Sequence, residues 1–260
     1  MSILAISGRK SSGKDVVGKI IEYLTGESTV YPFDLNIDYS HKSNWEVKKF
    51  ADKLKDIICI LIGCSRDQLE NESFKSKELG EEWWYWYMER DGGYSPIILD
   101  YLTTTKKELK SYKGLKLIKP TIRFLLQFIG TNLFRNQLHP EIWVNALMSE
   151  YKLYKETKPF VNLTLKDEEY PNWIITDTRF ENELEAVKKR GGITIRVNRP
   201  CDICGGSGYH KMNCPVSKSG EHYSETAIDK SKFDYVVDND SDIQSLIEKV
   251  RIILVQEKII

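Results

Sequence analysis

Gly8, Gly13 and Lys14 stand at the GxxxxGK spacing of a phosphate-binding loop, within Gly8-Arg9-Lys10-Ser11-Ser12-Gly13-Lys14-Asp15. Backbone N–H groups of such a loop, with the positive end of the helix that follows, surround a phosphate, while the lysine reaches outward to the terminal phosphoryl group. The implied ligand is ATP or GTP. Asp15 departs from the general pattern, in which a Ser or Thr hydroxyl after the lysine binds magnesium. Either the Asp15 carboxylate serves Mg²⁺, directly or through water, or it orients Lys14 and leaves the metal to other groups.

A second candidate cluster is Thr176-Asp177-Thr178-Arg179, which follows the apolar run Trp173-Ile174-Ile175. Ligands of open α/β sheets bind at the carboxyl ends of strands, so Asp177 and Arg179 fall where phosphoryl transfer would take place. There an acidic group governs Mg²⁺ or its waters and an arginine holds a phosphate by two hydrogen bonds; an ordinary loop salt bridge is the alternative. Arg199, before Pro200, is a weaker candidate of the same kind.

A third cluster gathers Cys201, Cys204, His210 and Cys214 within residues 201–214. Three thiols and one imidazole match a closed tetrahedral zinc site, and the interleaved glycines permit the turns of a knuckle. Two alternatives stand beside it: His222 in place of His210, and a flexible glycine-rich loop carrying thiols. The spacing is shifted by one residue at the histidine from that of the retroviral zinc knuckle, which disfavours a nucleic-acid role.

These groups need rigid elements to hold them. Ile3-Leu4-Ala5-Ile6 reads as a short buried strand, and Val17, Ile20, Ile21 and Leu24 recur on one face of a following helix, so strand, loop and helix come in the required order. Residues 45–50 precede a helical pattern over residues 51–62 whose expected buried face is Leu54, Ile57, Ile58, Leu61 and Ile62. Residues 65–119 show no sustained period and read as an insertion; its run Trp83-Trp84-Tyr85-Trp86-Tyr87 cannot point one way in any regular structure. Those rings serve either core or interface packing or a lid over a nucleobase.

Helical spacing resumes at Ile122, Leu125, Leu126 and Ile129, and residues 142–147 suggest another helix. After the strand ending at Asp177 come a helix over residues 181–190, closed by Gly191-Gly192, and a strand in which Ile193, Ile195 and Val197 alternate. Tyr235-Val236-Val237 reads as the next strand, and Ser241-Asp242-Ile243-Gln244 as a capping box opening the last helix. Strands alternating with helices predict an α/β fold with a mostly parallel sheet covered on both faces.

Composition narrows the partners. Lys and Arg number 38, as do Asp and Glu, so no overall field draws the chain to nucleic acid or an anionic membrane, and phosphate recognition must be local. No apolar run spans a bilayer and no cleavable signal is evident, which predicts a cytoplasmic protein whose five cysteines are reduced or metal-bound.

The chain resembles the bacteriophage deoxynucleoside monophosphate kinases, a P-loop family. The likeness runs through Ser7 to Asp15, the family too having aspartate after the lysine, then Ala51 to Asp56, Arg123, Gln127-Phe128-Ile129-Gly130-Thr131-Asn132 and Trp143. It continues at Asp177-Thr178-Arg179 with Glu183, Arg199-Pro200, and His222-Tyr223-Ser224-Glu225. The resemblance covers most of the chain outside residues 65–119 and the cysteine cluster, so the expected organisation is a kinase core over 1–64 and 121–260, an insertion at 65–120 for substrate or oligomerisation, and a lid-like loop at 200–225. It implies transfer of the γ-phosphoryl of ATP to a deoxynucleoside 5′-monophosphate, with Mg²⁺, giving the diphosphate for DNA precursor synthesis in the host cytoplasm; whether the chain forms a homodimer is left open by the sequence, with the insertion as the seat of the answer.

By the same resemblance, Ser11, Ser12, Gly13, Lys14, Asp15 and Val16 would bind ATP. Lys10, Leu54, Lys55, Arg123, Gly130, Thr131, Trp143, Asp177, Arg179 and Glu183 would surround the monophosphate, with Lys14, Asp15, Asp177 and Arg179 acting in transfer. The family often has threonine after the aspartate, and Val16 removes that hydroxyl. A zinc ion at the cysteine cluster would stiffen a lid and do no chemistry. Phosphomevalonate kinases also carry Gly-Lys-Asp in the loop and form one alternative; a zinc-knuckle nucleic-acid-binding protein forms another.

Overall fold

The computed structural model describes residues 2–26, 32–88, 99–100, 115–153, 169–201, 203–206 and 227–260. In chain order the first elements are β1 (Ile3–Ser7), α1 (Lys14–Thr25), β2 (Trp45–Lys48), α2 (Asp52–Ile62), α3 (Arg66–Glu70) and α4 (Glu72–Lys75). Next come β3 (Tyr85–Met88), β4 (Leu99–Asp100), β5 (Leu115–Ile118), α5 (Ile122–Gln127), a π-helix (Phe128–Leu138) and α6 (Ile142–Met148). The last are β6 (Asn172–Thr178), α7 (Glu181–Lys188), β7 (Ile193–Asn198), β8 (Tyr235–Asp238) and α8 (Ile243–Gln256). The chain divides into two compact units, Met1–Asp52 with Trp143–Ile260, and Lys53–Ile142.

The first unit is built on a five-stranded sheet in the order β2-β6-β1-β7-β8, every neighbouring pair parallel. This is the α/β sheet that the alternation of strands and helices predicts. Because parallel strands need crossovers, helices cover both faces and the central strands lose their alternation. All of β1 is buried, and in β7 Thr194 and Arg196 are buried along with Ile195 and Val197. Thr194 reconciles burial with polarity by giving its N–H and hydroxyl to Asp234 at 2.8 and 2.7 Å.

On one face, Leu4, Ile6, Ile174, Ile195 and Val197 pack with Val17, Ile20, Ile21 and Leu24 of α1 and with Leu246, Val250 and Leu254 of α8. Gly18 permits the close approach of α1, since a Cβ there would lie 2.9 Å from the Thr176 methyl. On the opposite face α7 packs against β1 and β7 with Leu184 and Val187 buried. The last helix begins one residue later than the capping-box reading: Asp242, not Ser241, is the cap, accepting the Ser245 N–H at 2.8 Å.

Glu22 is buried on α1, and that burial, with Asp38 opposed by Lys19, raises its carboxyl above the ordinary value. A raised folded value means that folding favours the proton, so stability falls as pH climbs through it. Glu22→Gln is therefore expected to raise the melting temperature at pH 7.5 and to lose that advantage below pH 4.5, the ordinary carboxyl value. Equal melting shifts at pH 4 and 7.5 would disprove the burial penalty.

The second unit holds an antiparallel sheet in the order β4-β3-β5. Trp84, from the aromatic run, donates its indole N–H to the Leu79 carbonyl at 3.0 Å and lies under the Lys119 ammonium at 4.0 Å. The apolar face of α2 is narrower than its periodicity suggests: Leu54 and Ile58 are buried, Ile57 and Ile62 half-buried, and Leu61 is 48% exposed. Helical spacing from Ile122 continues into the π-helix, whose wider turns leave Gly130 buried and Phe128 exposed.

Candidate active site

The turn from β1 into α1 is closed on itself. The Arg9 carbonyl accepts the Ser12 N–H at 3.1 Å and the Lys14 ammonium at 2.9 Å, so Lys14 arches back over the loop. Gly13 adopts φ +99° and Ser11 φ +62°, left-handed conformations that turn the intervening N–H groups inward. The Ser12 side chain, 3% exposed, has a hydroxyl with no hydrogen-bond partner among the described residues. A buried hydroxyl costs free energy unless something supplies its bond, so Ser12 points to an acceptor that belongs there. Val16 packs against the apolar cluster under α1, which leaves its backbone as the part able to face a phosphate.

Three groups brace this loop from elements far along the chain. Asn239, just after β8, donates to the Ser12 carbonyl at 3.0 Å and lies so close to Gly13 that a Cβ there would meet its amide at 2.6 Å. Asp229 receives both the Arg9 guanidinium of the loop and the Arg196 guanidinium of β7. Arg196 also donates to the Ser7 hydroxyl at 3.0 Å and stacks 5.7 Å from the Phe233 ring. None of Arg196, Asp229 and Asn239 was singled out from sequence; Arg196 sits where alternation would place an outward polar residue.

Asp15 opens α1 with its carboxylate 3.3 Å from the Lys49 ammonium. Desolvation pushes this carboxyl up, but Lys49, Lys14 and the Thr176 hydroxyl together outweigh it and hold the group below the usual carboxylate range. Asp177, next to the last residue of β6, has both oxygens engaged, by the N–H of Phe50 at 2.8 Å and of Ala51 at 3.0 Å. Desolvation raises the Asp177 carboxyl against the pull of those two N–H groups, Arg179 and Lys49. Its role in this geometry is to hold the backbone ahead of α2.

Glu183 is buried and turns back on its own helix start, accepting the N–H of Arg179 at 2.7 Å and of Phe180 at 3.1 Å. That fixes the turn carrying Arg179, whose half-buried guanidinium remains on the Asp177 side. Trp143 is 5% exposed, on the buried face of α6 with Val144, Leu147 and Met148, not on an open stacking surface. Lys10 and Arg199 are exposed.

Within the second unit the structure joins Leu54 and Gly130, whose missing side chain leaves room for the Leu54 methyl: a Cβ would lie 2.6 Å from it. Thr131 follows in the π-helix, half-buried. Lys55 pairs with Glu70 at 2.5 Å and Arg123 with Glu72 at 2.5 Å, so both cations sit in ion pairs. At the cysteine cluster, Cys201 and Cys204 lie in a tight turn closed by Gly205 N–H to the Cys201 carbonyl at 2.7 Å and Cys201 N–H to the Gly206 carbonyl at 3.0 Å. His210, Cys214 and His222 lie outside the described residues, among which no group of three metal-capable side chains occurs.

The sequence profile of the deoxynucleotide monophosphate kinases matches residues 101–250, more than half of the chain. The chain belongs to that family. The match is independent of the phosphate loop, which precedes it, and takes in Arg123, Gly130, Thr131, Trp143, Asp177, Arg179 and Glu183. A candidate deoxynucleotide monophosphate kinase of Acanthamoeba polyphaga mimivirus is 31% identical over 83 residues, 31% of this chain and 40% of that protein. The deoxynucleotide monophosphate kinase of Enterobacteria phage T4 is 25% identical over 132 residues, 50% of this chain and 44% of its own length. The chain thus spans less than half the length of these curated relatives. Among its described residues this family member has no helix long and apolar enough to cross a membrane.

Proposed function

We propose that this protein transfers the γ-phosphoryl of ATP to the 5′-phosphate of a deoxynucleoside monophosphate. The observation that carries the proposal is the Gly8 to Lys14 loop, with the Lys14 ammonium folded over it and the buried Ser12 hydroxyl unsatisfied inside it. Phosphoryl transfer asks for positioning and charge neutralisation more than covalent catalysis, and the loop is built for both. N–H groups at the start of α1 take phosphate oxygens, Ser12 adds a hydroxyl donor, and Lys14 neutralises the charge that passes between donor and acceptor.

Arg179 is the proposed guanidinium for the acceptor phosphate, steadied by the Glu183 carboxylate that fixes its backbone. Asp177 acts in this scheme by positioning, since the N–H groups of Phe50 and Ala51 occupy its oxygens. Leu54, Lys55, Arg123, Gly130 and Thr131 are proposed for the monophosphate, with Glu70 and Glu72 giving up Lys55 and Arg123 when an anion arrives. Magnesium fits the donors at the loop, where Asp15 is held ionised. When bound, Mg²⁺ would neutralise the β- and γ-phosphate oxygens.

A coupled assay of ADP release with each of the four deoxynucleoside monophosphates tests the reading. At least one of them is expected to stimulate release well above the rate with ATP alone; the absence of stimulation by all four would sink it.

A further inference from the structure

A cation outside the phosphate-loop motif stands between that loop and the turn carrying Arg179. Lys49 follows β2, and its ammonium lies 3.3 Å from the Asp15 carboxylate at the start of α1. In the sheet β6 lies between β2 and β1, and α1 packs on β6, where a Cβ at Gly18 would meet the Thr176 methyl at 2.9 Å and the Ile174 methyl at 3.7 Å. The Lys49–Asp15 bond therefore falls at the carboxyl end of β6, beside Asp177 and Arg179. Beneath that side chain the backbone is fixed by two carboxylates. Lys49 gives its N–H to Asp52 at 3.0 Å and takes the Asp52 N–H on its carbonyl at 3.1 Å, while Phe50 and Ala51 give theirs to the two oxygens of Asp177. A charge held on such a rigid support needs little reorganisation when an opposite charge develops beside it. The stem itself keeps some freedom, because 26% of the side chain is exposed and four carbons let the ammonium swing.

We propose that Lys49 is a second catalytic lysine, whose ammonium leaves the Asp15 carboxylate for the phosphoryl group in transfer and neutralises it from the β6 side while Lys14 does so from the loop. This rests on the kinase reading above. Asp15 brings a negative charge to the rim of a loop that must take a polyphosphate, and Lys49 offsets that charge until the anion arrives. A polyphosphate carries more charge than a carboxylate, so an ammonium within reach of both is drawn to the phosphate once it is bound. No covalent bond forms and no proton moves at Lys49; its role is electrostatic, which is what phosphoryl transfer asks of the protein.

Lys49→Met, or Lys49→Gln should that variant not fold, removes the charge; Lys49→Arg keeps it. ADP release is followed for each variant with ATP and whichever of the four deoxynucleoside monophosphates most stimulates the parent, and thermal unfolding by circular dichroism on the same preparations. Lys49→Met is expected to lower kcat and kcat/KM together by about a hundredfold, the lower scale for deleting one group that stabilises transition-state charge, with KM values near those of the parent. Lys49→Arg should recover most of that loss, and both variants should melt close to the parent, since a partly exposed ion pair holds a fold only weakly. A rise in KM at unchanged kcat would overturn the assignment, because Lys49 would then bind substrate without acting in transfer. So would equal losses in Lys49→Met and Lys49→Arg with a lowered melting temperature, the pattern of a structural support. Failure of the parent to turn over any of the four monophosphates would overturn the kinase reading and the role of Lys49 together, while an active parent beside an equally active Lys49→Met would overturn the role of Lys49 alone.

Discussion

Lys14→Ala is expected to lower kcat for phosphoryl transfer by about a thousandfold, the upper scale for deleting one preorganised group that stabilises transition-state charge. The fold should lose about 1 kcal/mol, the worth of a hydrogen bond such as that from Lys14 to the Arg9 carbonyl. Ser12 N–H to Arg9, Asn239 to Ser12 and the left-handed Gly13 shape the loop without using the ammonium. Steady-state ADP release and urea unfolding on the same preparations separate the two effects. Turnover within tenfold of the parent would remove the loop from the mechanism.

The largest effect on stability is expected at Asp229. Its carboxylate serves Arg9 and Arg196 at once, and the Arg196 side chain is 8% exposed. Asp229→Ala leaves that guanidinium with the Ser7 hydroxyl and the Phe233 ring, and removing one partner of a buried pair costs about 3–5 kcal/mol. The double variant Asp229→Leu with Arg196→Met should recover most of the loss, because the more deeply buried of the two guanidinium charges leaves with its partner. Urea midpoints for the single and double variants decide the matter; a cost under about 1 kcal/mol for Asp229→Ala would mean that water satisfies Arg196.

What sequence disclosed of this molecule, and what it concealed, follows from the range over which each feature is encoded. The β1-loop-α1 turn is written in consecutive residues, so Gly8 to Lys14 was readable together with the helix face Val17, Ile20, Ile21 and Leu24 that buries against the sheet. The strand ending at Asp177 was equally plain, because three large apolar residues in a row need cover on both sides. Arg196 was not readable. A charged residue alternating with Ile195 and Val197 looks solvent-facing, and only a carboxylate 33 positions away makes its burial tolerable.

Asn239 was hidden for a related reason. It lies in Asp238-Asn239-Asp240-Ser241, a composition that says turn and nothing more, whereas its bond to Ser12 spans 227 positions. The oxygens of Asp177 were placed correctly at the strand end, but their acceptance of the Phe50 and Ala51 N–H groups depends on β2 lying beside β6, which no local pattern encodes. Leu61 failed to bury because a five-residue apolar stripe on α2 says how much surface is sticky, not how much of it a neighbour covers.

The central place of β1 sets the order in which the molecule can be assembled. Ser2 meets Asn172 across 170 positions, and the flanking partners of β1 are Trp173 to Thr178 on one side and Ile193 to Arg196 on the other. During synthesis the Gly8 to Lys14 loop leaves the ribosome well before its braces, since Asp229 follows Arg9 by 220 positions and Asn239 follows Ser12 by 227. Until β6 and β7 follow, β1 is an apolar strand with two open edges, a state prone to wrong pairing and served by holding chaperones. The architecture therefore ties the bracing of the loop to arrival of the far end of the sheet: a chain interrupted before residue 239 would carry the complete loop motif and lack the Asn239 bond that holds Ser12.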